Sequence, residues 1–112
     1  MDNLMTMAFE AHNVEKNHHR RYSITVGRDL FDDWTVSVRY GRVGRRGQEM
    51  RFAGPNPEAM QVIVRNCLKK RVSAPRRIGC AYRLTSIDIA AGIVERDWLP
   101  PDMTTSFQSR AS

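Results

Sequence analysis

Trp34-Thr35-Val36-Ser37-Val38-Arg39-Tyr40 is the stretch on which the fold turns, and it runs directly into Gly41-Arg42-Val43-Gly44-Arg45-Arg46-Gly47-Gln48. The first seven residues alternate apolar and polar. They predict a β-strand with Trp34, Val36, Val38 and Tyr40 on one face and Thr35, Ser37 and Arg39 on the other. The next eight hold three glycines and three arginines. Glycine permits positive φ and close approach of other groups to the backbone. Arginine carries a permanent charge and a planar fork of donors that suits phosphate. A strand ending in such a turn offers a rigid, basic, aromatic-tipped surface to a polyanion.

Outward from this stretch, Gln48 to Ala53 reads as the returning antiparallel partner. Upstream, Tyr22, Ile24 and Val26 alternate with Ser23, Thr25 and Gly27, a second strand over Arg21 to Gly27. Arg28 to Asp33 form the loop between them, with Asp at positions that favour turns. Met7 to Val14 reads as a further strand. Downstream, Asn56 is a good N-cap, Pro57 suits the first helical position and Glu58 complements the dipole. The helix so predicted sets Met60, Ile63, Val64, Cys67 and Leu68 on one stripe. Lys69-Lys70-Arg71 lies in its last turn, and Ser73-Ala74-Pro75 stops it. Gly79 to Leu84 reads as another strand, and residues 85–97 fit helix or strand equally. From Pro100 onward, Pro, Ser and Thr with few apolar residues predict a disordered tail over 100–112. The expectation is a single α+β domain over 1–99, an antiparallel β-sheet with one amphipathic α-helix packed across one face.

The 112 residues suffice for one domain with a modest core, and 41% hydrophobic with 27% charged residues is ordinary for a folded soluble protein. No apolar run approaches the ~20 residues that span a bilayer, so no membrane partner is expected. Met1 to Ala8 is a poor signal peptide, and two cysteines are too few for a disulfide framework. The expected location is the cytoplasm. Net charge is +6, but it is unevenly spread: Lys16 to Arg83 holds 16 basic against 5 acidic residues, and the flanks hold 2 against 7. A basic protein with acidic ends suits an anionic partner, through release of the partner's counterions.

The ordered set Tyr22…Asp29-Leu30-Phe31-x-x-Trp34…Tyr40-Gly41-Arg42-Val43-Gly44-x-x-Gly47-Gln48, with a helix beginning near Glu58-Ala59, resembles the WGR domain. That family is named for a Trp-Gly-Arg signature. It occurs in DNA-break-sensing poly(ADP-ribose) polymerases and in stand-alone bacterial proteins. The resemblance covers roughly residues 9–84, and it departs from the signature at one position: Tyr40 stands where the tryptophan should be. It implies that this aromatic stacks on a sugar at a DNA end and that Arg42 helps to hold the terminus. Tyrosine keeps the flat face that stacking needs, over a smaller area.

The expected DNA-binding residues are Tyr40 and Arg42, joined by Arg39, Arg45, Arg46, Lys69 and Lys70. Tyr40 has two readings, exposure at the strand's end or continuation of the core row of Trp34, Val36 and Val38. Trp34, in the middle of that row, reads as core. Arg71, Arg76 and Arg77 could extend the basic face. His18, His19, Cys67 and Cys80 lack metal-site spacing, and no nucleophile elbow, P-loop or HExxH motif is present. The expectation is therefore a non-catalytic module without metal or cofactor, contacting the DNA backbone and preferring ends, nicks or breaks. The alternative is a protein-interaction or self-association module that does not touch nucleic acid. RNA is a third possible partner.

Overall fold

Alternation along Trp34–Tyr40 is realised as read. The computed structural model describes residues 2–75 and 79–107. In it Trp34–Arg42 is strand β3, preceded by β1 (Asp2–Asn13) and β2 (His18–Arg28) and followed by β4 (Gln48–Gly54). Each pairs antiparallel with the next, and β5 (Arg83–Ile89) returns to the free side of β1, giving the order β4-β3-β2-β1-β5. Register aligns the apolar rows across the sheet: Met7 opposes Ile24, Ile24 opposes Val38, and Val38 opposes Met50. A shift of one residue would turn all of these rows toward solvent, so burial of one face holds the register.

Helix α1 (Pro57–Val72) lies on that apolar face. Asn56 Oδ1 accepts the Ala59 N–H at 2.9 Å, Pro57 opens the helix, and the Ser73 N–H bonds the Lys69 carbonyl at its end. Met60, Val64 and Leu68 are buried, with Ile63 and Cys67 half-buried beside them, which is the stripe expected from the spacing. Burial of side chains such as Val64 and Leu68 contributes about 1.5–3 kcal/mol each. The other face of the sheet carries small polar side chains, among them Thr6, Ser23, Thr25 and Ser37.

Three expectations need correction. The first strand begins five residues before Met7, and Val14 lies in the turn beyond its end, 82% exposed. The last strand runs over Arg83–Ile89 rather than Gly79 to Leu84. A bulge causes the misreading: Leu84 opposes Phe9 and Ile87 opposes Met7, so an irregularity breaks the two-residue period that marks a strand. The segment from Pro100 is no disordered tail where the structure describes it. Residues Glu95–Trp98 form a short helix, α2, and Pro101–Phe107 form another, α3. Trp98, Leu99, Met103 and Phe107 are buried, and the Phe107 ring lies 4.8 Å from that of Phe9. The folded unit thus extends past residue 99. Residues 108–112 lie outside the described residues. Two apolar residues four apart are a weak local signal, and packing against the sheet supplies the stability that a seven-residue helix lacks by itself.

Candidate nucleic-acid interface

The β3–β4 turn is built by close backbone approach. A Cβ at Gly41 would lie 2.8 Å from the Gly47 Cα. One at Gly47, whose φ is +73°, would lie 2.4 Å from the Tyr40 carbonyl oxygen. No other residue type fits that position without moving backbone, so glycine lets the turn fold flat onto the strand that feeds it. Two further contacts brace it. The Val43 N–H bonds the His19 carbonyl at 2.8 Å. Arg21 Nη2, reaching from β2, donates to the carbonyls of both Arg45 and Arg46. Bonds from a guanidinium to backbone oxygens are charge-assisted and stronger than neutral ones. They also point the two carbonyls inward. The Arg45 and Arg46 side chains are exposed and have no protein partner among the described residues.

Arg42 is held differently. Nη1 donates to the Asn17 carbonyl at 3.0 Å and Nη2 to Asn17 Oδ1 at 3.1 Å, tying the end of β3 to the β1–β2 turn. Asn17 itself has φ of +54°. Arg20, His18, His19, Gly41 and Arg42 line a shallow depression of about 330 Å³ there. In the sheet register Arg20 sits directly opposite Arg42. Two cations on neighbouring strands repel unless an anion lies between or beside them.

Tyr40 satisfies parts of both readings. Its Cα faces that of Tyr22 across the ladder, in the core row, yet it is only half-buried. The row outruns the core here. Its hydroxyl donates to Gln48 Oε1 at 2.9 Å. The ring forms one wall of a groove of about 470 Å³ between α1 and strands β3 and β4, with Met50, Phe52 and Cys67 as further apolar lining and Lys70 and Arg71 as cations. Arg71 is half-buried, its Cζ 3.9 Å above the Tyr22 ring, and its Nε has no hydrogen-bond partner. Burial, with a hydrogen bond to Cys67, pushes the Tyr22 phenol well above its ordinary range, so it remains neutral beneath the guanidinium.

The expected residues therefore do not form one surface. Tyr40 and Lys70 meet at the groove, and Arg42, Arg45 and Arg46 follow Tyr40 around the turn. Lys69 is exposed in the last turn of α1. Arg39 is exposed on the opposite face of the sheet, where alternation places it one residue before Tyr40. Arg76 and Arg77 lie outside the described residues. Trp34 packs against the core without being fully buried; its ring stacks on that of buried Trp98 at 5.8 Å, under the Arg28 guanidinium. His18 and His19 diverge as strand neighbours must, and His19 Nδ1 lies 2.8 Å from His12 Nδ1.

Arg20 and Arg21 escaped the sequence reading, and Arg71 entered it only as a contributor of charge to the basic face, not as part of a groove. Arg21 acts across the ladder on residues 24 and 25 positions away, and Arg71 looked like an ordinary helix-terminal cation. The consecutive Arg20-Arg21 pair at the start of a strand was the one signal available.

Residues 5–73 match the family model of the WGR domain. No curated protein matches the chain.

Proposed function

Because the chain belongs to the WGR domain family, a family of nucleic-acid-binding modules, we propose that it is a non-catalytic module that binds duplex DNA through the backbone and prefers ends, nicks or other breaks. The observation that carries this reading is the braced turn: Arg45 and Arg46 stand exposed and unpaired on a backbone held rigid by Arg21, beside the half-buried ring of Tyr40. A rigid cationic loop loses little conformational entropy on meeting phosphate. Arg45 and Arg46 contact phosphates directly. Arg42 and Arg20 add charge at the adjoining depression, and Lys69 and Lys70 add it from the helix. Tyr40 stacks on a sugar or base where a terminus exposes one, since an intact duplex offers no such face. Phosphate contacts carry no sequence information, so the module reads DNA structure rather than sequence.

Competition among blunt-ended, 5′-phosphorylated, nicked and closed circular DNA for the purified protein tests this reading. Preference for the broken forms is expected. Equal affinity for all four would remove the end preference, and no affinity for any would remove the function.

A further inference from the structure

We propose that the loop between β2 and β3 of one copy docks into the groove beside α1 of a second copy, head to tail. The loop presents Leu30 and Phe31 to solvent at 85% and 86% exposure. Mobile tips often expose apolar side chains, but this tip is tightly built. Asp29 Oδ1 accepts the N–H groups of Phe31 at 2.9 Å and Asp33 at 3.0 Å. The Asp29 N–H bonds the Asp33 carbonyl, and the Asp32 N–H bonds the Asp29 carbonyl. Arg28 Nη2 clamps the Asp32 backbone oxygen at 2.9 Å and its carboxylate at 2.6 Å. Two large apolar side chains are thus held out on an ordered scaffold, among three carboxylates and one arginine. Ordering cost is already met before any partner arrives.

The same chain carries the complementary surface. The groove has apolar walls from Tyr40, Met50 and Phe52, and its cations are Lys70 and Arg71. Met50 is 48% exposed there. The Arg71 guanidinium, half-buried over the Tyr22 ring, gives the groove a positive charge that an incoming carboxylate would meet. An apolar pair flanked by acid matches an apolar trough flanked by base, and this charge complementarity selects a second copy as the occupant. The loop precedes Trp34 and the groove includes Tyr40, so the two surfaces lie toward opposite ends of β3 and cannot meet within one molecule. Loop-to-groove contact between copies is heterologous, and it leaves one loop and one groove free for the next copy. An interface of this size is small and its affinity is weak, with Kd of roughly 0.1–1 mM. It does not depend on the DNA-binding reading.

Sedimentation velocity without nucleic acid tests it. At low salt the weight-average mass of the wild type should climb from 12.9 kDa past the dimer, without a plateau, as concentration rises to about 1 mM. The double variant Leu30→Ser/Phe31→Ser and the groove variant Met50→Glu should each stay monomeric, associating at least tenfold more weakly, with thermal melts near that of the wild type. Both substitutions are at exposed positions. Their equimolar mixture should form a dimer and stop, because the first variant keeps its groove and the second keeps its loop. A wild type monomeric throughout, a closed dimer, a loop variant that still associates, or a mixture that fails to pair would each overturn the proposal.

Discussion

At one end of β3, Asp29 gathers the N–H groups of Phe31 and Asp33 onto one carboxylate oxygen. Beyond the other end, Arg21 gathers the carbonyls of Arg45 and Arg46 onto one guanidinium nitrogen. The two loops are ordered in the same way, a single charged side chain satisfying several backbone groups. The brace takes the sign of its loop: an acid caps an acidic apolar tip, and a base caps a basic polar one. Rigidity is therefore common to both, and what each can bind is set by the groups left facing outward. In the first loop these are Leu30 and Phe31, and in the second Arg45 and Arg46.

The largest expected effect separates the loops by charge. Four or five phosphate contacts at the basic end give a log–log salt slope of roughly −4, a loss of roughly 250-fold in DNA affinity from 50 to 200 mM salt. Fluorescence titration across that range measures it, and a flat slope would erase the distinction between the two ends as far as nucleic acid is concerned.

Glycine geometry comes next. Gly44 and Gly47 both have positive φ, but a Cβ at Gly44 meets open space and one at Gly47 meets the Tyr40 backbone. Gly44→Ala should cost about 1–2 kcal/mol in urea unfolding, the left-handed backbone term alone. Gly47→Ala should cost roughly 3 kcal/mol or more and lower DNA affinity with it. Equal costs would mean that the turn does not lie flat on β3.

Tyr40→Ala should weaken binding to ended or nicked duplex by about 1–3 kcal/mol and to closed circular DNA by little. Thermal melting of the same variant separates the two roles of a half-buried ring. A variant that melts far below the wild type assigns Tyr40 to the core row.

At the acidic loop, Asp29→Ala should cost about 1 kcal/mol of stability by orphaning two N–H groups at a partly exposed site. Its DNA affinity should remain within about twofold of the wild type, since one distant charge is largely screened. A large loss would place this loop on the DNA.

The smallest effect is the most discriminating. Arg45→Ala should weaken all DNA forms alike and make the salt slope shallower by about one unit. Arg39→Ala, on the opposite face, should leave the slope nearer that of the wild type. Reversed results would put the DNA on the open face of the sheet.

Much of the fold was legible locally. Alternation marked β2 and β3, the turn after β3 marked β4 as its returning partner, and Asn56-Pro57-Glu58 with the 60–68 stripe marked α1. These signals are strong because period-two and period-3.6 patterns and caps depend on near neighbours alone. What failed were β5 and α3. A bulge hid the one, and the other draws its stability from Phe9, nearly a hundred residues away.

The site divides along the same line. The sequence by itself determined that one turn concentrates arginine and glycine, that an aromatic leads into it, and that Arg39 and Tyr40 as strand neighbours face opposite ways. Only the tertiary structure decided that Arg21 braces the turn, that Arg42 is tied to Asn17, and that Tyr40 shares a groove with Arg71. Composition and periodicity fix which side chains a segment carries and which face they take. Which distant carbonyl a guanidinium meets depends on strand order and register, and those exist only once the sheet has paired.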